Sequence, residues 1–240
     1  MNRPRFYNWH YSHWLVHFIS LRELKKVIPR YLRGITIDIG CGTKPYRDFI
    51  TPFTQRYYGL EHPKTLNDKS LADVYAVAGS LPFKDRSVDT VFTTAVLEHL
   101  EEPLDAIREF ARVLKQGGNV IATVPLFWHI HEEPRDYFRY TSYGLRHLFT
   151  KAGFEIEVLK AMSGFWVTFT QHFSHMVLRF HKGPMKLVPV LPLIAVVIQA
   201  AGFVLDKLDK SERWTWAYCL VARKSMEGLP ALSRYGKAGG

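Results

Sequence analysis

Two stretches hold residue types from which a ligand site can be built. In Thr36-Ile37-Asp38-Ile39-Gly40-Cys41-Gly42 an apolar run ends in an acid, followed by two glycines around one small residue. Glycine has no Cβ, so a chain turning there lets its backbone approach a ligand closely, and Asp38 can balance a cationic ligand group. About twenty residues on, Glu61 closes a second apolar run, where an acid in a doubly wound sheet binds ribose hydroxyls. Pro45 stands where a dinucleotide fingerprint has its third glycine, and no G-x-x-x-x-G-K loop occurs. The expected ligand is therefore a nucleoside without a pyrophosphate. Cys41 reads as a small residue packed between glycines rather than as a nucleophile.

The second stretch is Phe127-Trp128-His129-Ile130-His131-Glu132-Glu133-Pro134-Arg135-Asp136-Tyr137-Phe138-Arg139-Tyr140-Thr141. It gathers imidazole, carboxylate, guanidinium and phenol beside aromatic rings. His131 is the first candidate for a general base, Asp136 the next, and His99 of the Glu98-His99 pair the third. Trp128, Arg135, Tyr137, Arg139 and Tyr140 are the candidates for binding an acceptor, the two arginines through a phosphate or carboxylate. The alternative for Asp136 and Arg139 is a pair that braces the loop, with Thr141 or Ser142 capping the next helix.

These residues need a frame. Apolar runs predict strands at 35–39, 56–61, 73–77, 88–93, 119–124, 154–159 and 216–222, with helices at 103–114 and 142–152 between them. Gly117-Gly118 is expected to stop the first of these helices and Gly153 the second. Such alternation predicts a Rossmann-like, seven-stranded, mostly parallel sheet with helices on both faces and an antiparallel last strand. It also puts both stretches at the carboxyl ends of strands. Residues 11–32 repeat apolar side chains at three- and four-residue steps, which predicts an amphipathic helix ending near Pro29 and covering the sheet or the ligand site. The chain divides into this segment (1–33), a core (34–162), a helical apolar insertion (163–213), a closing strand (214–224) and a loose tail (225–240).

With 240 residues, 47% of them hydrophobic and 22% charged, a packed core is expected rather than disorder. The net charge of +10 favours an anionic partner: nucleic acid, membrane or a phosphorylated substrate. Two cysteines form no disulfide framework and no metal-ligand spacing, so a reducing compartment is expected and no metal site.

The runs TIDIGCGTKPY, LPFKDRSVDTVFTTAVLEHLEEP and REFARVLKQGGNVIATVP resemble the class I S-adenosylmethionine-dependent methyltransferases, in the broad group called type 11. The resemblance covers about Arg33 to Leu159 and the closing strand. It implies S-adenosylmethionine as cofactor. It places Asp38, Gly40, Cys41 and Gly42 around the methionine part, Glu61 on the ribose, Gly79, Ser80 and Leu81 against adenine, and Thr94 and Ala95 on the floor of the pocket. Two departures stand out. Val77-Ala78-Gly79 offers no carboxylate to the adenine amine, and Lys44-Pro45 follows the glycines where relatives have a small residue. The loop also resembles the H-x-x-P-x-D-[YF]-x-R-[YF]-T element of many relatives.

The acceptor is read from the insertion. Residues 187–205 carry no charge and are flanked by Lys182, Lys186 and Lys207, with Trp214 and Trp216 beyond. A single membrane span would leave the closing strand on the wrong side of the bilayer. An interfacial hairpin with residues 165–180, bent at Pro189 and Pro192, is preferred over a soluble lid. The expected protein is a methyltransferase on the cytoplasmic membrane face, acting on a small apolar or lipid-linked acceptor. The alternatives are an RNA methyltransferase, for which no Asn/Asp-Pro-Pro-Tyr element is present, and a non-catalytic cofactor-binding subunit.

Overall fold

The computed structural model describes residues 12–65, 67–183, 190–208 and 211–226. Helix α1 spans Trp14–Tyr31 and buries Leu15, Ile19, Leu24, Val27 and Ile28 along one face. It ends two residues past Pro29, close to where the sequence placed its end; the proline takes away only the donor that would reach the Lys25 carbonyl, and Leu32 N–H still closes on the Ile28 carbonyl.

The chain then alternates. Strand β1 (Ile35–Ile39) leads through the glycine turn to the short helix α2 (Arg47–Ile50) and on to β2 (Arg56–Glu61), β3 (Val74–Tyr75) and β4 (Val88–Thr94). Helix α3 (Pro103–Val113), strand β5 (Leu114–Pro125), helix α4 (Ser142–Lys151) and strand β6 (Phe154–Ala161) follow. Helices α5 (Phe165–Leu178) and α6 (Val190–Leu205) form the insertion before the closing strand β7 (Ala217–Lys224).

The strand order is β3-β2-β1-β4-β5-β7-β6, parallel from β3 to β5, with β7 antiparallel to both its neighbours. This is the predicted sheet, with helices on both faces. One face packs on α3 and α4 through Ile107, Phe110, Leu145 and Phe149. The other packs on α1 through Leu15, Ile19, Leu24 and Ile28, together with Phe92, Ile121 and Val221 of the sheet. The amphipathic segment therefore covers the sheet, as its periodicity implied.

Three expectations change. The third strand shrinks from 73–77 to Val74–Tyr75. The Gly117-Gly118 pair does not end α3: Leu114 is already extended, and the pair lies inside β5, where the register against β4 jumps between Val88 and Thr90. Gly117 has φ +69°, and a Cβ on Gly118 would lie 3.0 Å from the Asp89 carbonyl oxygen, so the glycines serve a bulge. Pro192 does not bend the insertion either, because it falls in the first turn of α6, where no helical N–H is lost. Leu187, Val188, Pro189 and Lys186 lie outside the described residues, as do Tyr11 and 227–240.

The insertion is inside out. Helix α5 buries Thr168, Thr170, Gln171 and Ser174 and exposes Phe165, Trp166, Phe169, Phe173 and Met176. Helix α6 buries Ala195, Gln199 and Gly202 and exposes Leu193, Ile194, Val197 and Val204. Small and hydroxylated residues bring the helices close. A Cβ on Gly202 would stand 2.0 Å from Thr170 Oγ1, and the Ser174 hydroxyl lies 3.2 Å from the Ala195 carbonyl oxygen. Asp206 caps α5, accepting from the N–H groups of Gly164 and Val167. No described helix is long and apolar enough to cross a membrane.

Candidate functional site

The site starts from the glycine turn. Gly40, at φ +71°, takes a conformation open to glycine, and a Cβ there would strike the Val96 side chain at 2.3 Å. Gly40 and Cys41 donate to the Leu60 carbonyl, so the turn is sewn to the end of β2. There Glu61 accepts from Gly42 N–H at 2.9 Å and, through its other oxygen, from His62 N–H at 2.9 Å. Lys44 fits into the loop by running back beneath β2. Its ammonium bonds Asp73 at 2.6 Å, and its stem crosses Gly59, where a Cβ would lie 2.2 Å from it.

In front of this turn opens a groove of about 720 Å³ lined by Gly40, Glu61, Gly79, Ser80, Ala95, Val96 and His99. Its remaining wall is acidic. Glu61, Glu101, Glu102, Asp105, Glu132 and Glu133 line it against only Lys64 and Arg135 among the side chains of fixed positive charge. A chain of net charge +10 thus presents an acidic groove. That fits a cationic nucleoside and repels a dinucleotide's phosphates.

Of the residues expected on the cofactor, Gly40, Glu61, Gly79, Ser80 and Ala95 line this groove. Asp38, Cys41, Gly42 and Leu81 stand behind it. Asp38 is buried and accepts from the Tyr57 hydroxyl, and burial pushes its carboxyl up to about 7. Cys41 packs on Gly59, and burial pushes its thiol up to about 12, which removes a nucleophilic role. Gly42 orients Glu61, and Leu81 N–H donates to Glu109 at 2.7 Å. Thr94 faces a second, smaller cavity.

That second cavity, of about 190 Å³, lies between α1 and the ends of β4, β5 and β7. His13, Val16, His17 and Ser20 line it from the α1 side, and Trp128 and His131 from the loop. Tyr46, Glu98 and Trp216 complete its rim, and Ala95 at φ +53° belongs to both cavities. Trp128 and His131, the residues expected to serve an acceptor, both line it, beside α1 histidines that the sequence did not single out.

The other loop residues have different tasks. Asp136 is buried and takes Arg139 through both oxygens, at 2.5 and 2.7 Å. The guanidinium holds the Asp136 carboxyl far below the usual range, so it stays ionised and moves no proton near neutrality. Arg139 also donates to the Trp128 and His129 carbonyls and lines neither cavity. Both therefore brace the loop instead of acting on an acceptor, and the Thr141 hydroxyl caps α4 by accepting from Gly144 N–H. Tyr140 is buried with its hydroxyl on the Leu97 carbonyl, which removes it from acceptor binding. Arg135, Tyr137 and His99 line the cofactor groove rather than the small cavity. His131 lines the small cavity: its backbone N–H donates to Asp136, and burial followed by His99 lowers its pKa, so the ring is neutral near pH 7.

Burial also holds the His17 imidazole down to about 4. The folded state refuses a proton that the unfolded chain accepts below about pH 6.5. This contribution to stability is complete above about pH 6.5 and is lost as pH falls toward the folded value. His17→Phe removes it, and the variant's own packing change cancels in a comparison across pH. Between pH 7 and pH 5 the stability difference is expected to move toward the variant by about 2 kcal/mol in denaturant titrations. No movement would mean that the ring is hydrated in the fold.

A methyltransferase domain family model matches residues 37–122. An uncharacterized protein of Methanocaldococcus jannaschii is 31% identical over 47% of this chain and 54% of its own length. A demethylmenaquinone methyltransferase of Staphylococcus epidermidis is 26% identical over 61% of this chain and 65% of its own. The chain thus spans about half to two-thirds of the length of these relatives. Among solved structures, the [4+2]-cyclase SpnF shares the fold, with a TM-score of 0.59, 23% identity, and coverage of 94% of this chain and 86% of that one. The match marks residues 37–122 as a methyltransferase domain, and the sheet order and the groove are those expected of the class I S-adenosylmethionine-dependent kind. S-adenosylmethionine is the cofactor of that family, and the residues present fit it. Glu61 stands where a ribose acid belongs, the wall suits its cationic sulfonium and ammonium, and Gly79 leaves open space where a Cβ would meet nothing within 4 Å.

Proposed function

We propose that the chain methylates an apolar small molecule, of the isoprenoid or lipid-linked kind, drawn from a membrane surface. S-adenosylmethionine supplies an electrophilic methyl on a sulfonium, which an aligned acceptor displaces in line. The observation that carries the reading is the meeting of two cavities at Ala95, one built for the nucleoside and one walled mainly by rings and apolar atoms. Trp128, Trp216, Tyr46 and Val16 exclude water from the smaller one, and His131 offers it a neutral imidazole. A relative named for demethylmenaquinone supports an apolar acceptor.

The membrane part rests on the insertion. Phe173, Phe169 and Phe165 stack at 5.9 and 5.7 Å, Phe165 meets Trp214 at 5.9 Å, and Trp214 stacks on Phe127 at 5.4 Å. This ribbon of exposed aromatics leads to the loop that bears Trp128. A helix pair burying hydroxyls and presenting rings suits an apolar exterior, and Lys182 and Lys207 beside it suit anionic headgroups.

Methyl-labelled cofactor should pass its label into the solvent-extractable fraction of a membrane lipid extract. Label in RNA, or none transferred with the cofactor bound, would overturn the acceptor class. In flotation the protein should rise with anionic liposomes, and Leu193→Asp together with Phe169→Asp should cut the bound fraction about tenfold. Wild-type protein left at the bottom of the gradient would refute the membrane reading and leave methyl transfer standing.

A further inference from the structure

We propose that Glu98, His99 and His131 form a binding site for a divalent transition-metal ion, in the wall between the cofactor groove and the smaller cavity. Their ligand atoms all lie within 4.8 Å of one another, and no other described group of His, Cys, Asp and Glu was found with such spacing. Glu98 is wholly buried, and neither of its carboxylate oxygens has a hydrogen-bond partner among the described residues. The Nε2 of His99 is likewise buried and without one. A fully buried carboxylate is seldom left unpaired, because the water it loses must be replaced. A cation between the three groups replaces it.

The imidazoles are held as metal ligands are held. His99 Nδ1 lies 2.6 Å from the Arg135 carbonyl oxygen, so it carries the proton, donates there, and leaves Nε2 with a free lone pair. His131 Nδ1 lies 3.2 Å from the His129 carbonyl oxygen and 3.4 Å from Asp136, which sets the same tautomer. The Asp136–Arg139 brace thereby acquires a second task, orienting a ligand. His99 Nε2 stands 3.9 Å from Glu98 and 3.8 Å from Glu132. Ligands about 2.1 Å from a tetrahedral ion are about 3.4 Å apart, so the Glu98–His99 pair must close by about half an ångström and any pair of the three at the 4.8 Å limit by about 1.4 Å. Two imidazoles and one carboxylate select zinc, iron or cobalt over magnesium, and they leave positions open.

Glu98 and His131 line the smaller cavity, while His99 and Glu132 line the groove. An ion between them has an open position for water or for an acceptor oxygen, whose proton it would make easier to lose. That use rests on the methyl-transfer reading, and the binding itself does not. In this arrangement the Nε2 of His131 holds metal instead of serving as a free base.

The test is titration of the chelator-treated full chain with Co2+, followed by visible d–d absorption and displacement with Zn2+. One equivalent is expected, with affinity lowered at least tenfold in His99→Gln and in His131→Gln. His172→Ala, which alters the ring cluster around Trp128 and touches none of the three ligands, is expected to bind as wild type does. Circular dichroism identifies variants that fold, and Glu98→Gln serves as a third ligand variant if either histidine variant does not. No cobalt spectrum in the wild type, or equal weakening by His172→Ala, overturns the site. Calorimetry with S-adenosylhomocysteine on the same samples separates the readings: cobalt bound without nucleoside keeps the metal site and removes the methyltransferase one.

Discussion

Replacing Glu61 by alanine is expected to weaken S-adenosylhomocysteine binding at least a hundredfold in calorimetry, with the fold intact. Glu61 closes β2 at the lip of the groove, and its two oxygens accept the N–H groups of Gly42 and His62. A carboxylate has about four lone-pair sites, so room remains for both ribose hydroxyls. Hydrogen bonds to a charged acceptor contribute about 1.5–3 kcal/mol each, and two of them amount to at least a hundredfold. The substitution also frees the glycine turn, since Gly42 N–H loses its partner and the backbone no longer holds the shape that the ligand meets. Glu61→Gln, which keeps the shape and loses the charge, should fall between. Asp38→Asn should do less than Glu61→Ala, because Asp38 stands behind the turn on Tyr57. Affinity within threefold of wild type in Glu61→Ala would mean that the nucleoside does not lie at the end of β2.

The contrast between Glu61 and Asp38 shows how far a sequence reads. Both are acids at strand ends, and spacing places both near a ligand. Spacing does not tell which way a side chain turns, and Tyr57, two residues short of Gly59 on the neighbouring strand, captures one of them. The sheet itself was legible because β1, β2, β4 and β7 are short apolar runs between turn residues. Of the long β5 only 119–124 was legible; its first residues were not, because the glycine pair reads as a helix stop until β4 is seen to need a bulge beside it. His13 and His17 were missed for a related reason. On an amphipathic helix a histidine reads as the wet face, and only the fold brings that face against Trp128, which lies 5.9 Å from His13. The insertion is the reverse case. Phe165, Phe169, Phe173 and Met176 recur at helical spacing, which announces an apolar stripe without saying that it faces outward. The polar residues on its other face, Thr170, Gln171 and Ser174, carried that signal. The Glu98, His99 and His131 group lies beyond such reading, because its members come from two segments joined only where the loop folds back over β4.

Arg139→Leu is expected to cost about 3–5 kcal/mol, more than any other single change in the loop, because it leaves a buried carboxylate without its partner. Asp136 has a side chain only 2% exposed, and without the guanidinium it retains only the N–H of His131 and that imidazole nearby. The Trp128 and His129 carbonyls lose their donors at the same time. For a domain of this size the loss corresponds to a drop on the order of 10 °C in Tm. The damage should be directional. The loop carries Trp128 and His131 into the small cavity, while Glu61, Gly40 and Gly79 of the groove are held by β1, β2 and their turns. Below its Tm the variant should therefore bind S-adenosylhomocysteine with nearly wild-type affinity while methyl transfer falls at least a hundredfold. Adding Asp136→Asn removes the stranded charge, so the double variant should regain part of the lost stability without regaining activity. A double variant less stable than Arg139→Leu alone would mean that Asp136 is paired elsewhere, and the brace would then have to be given up.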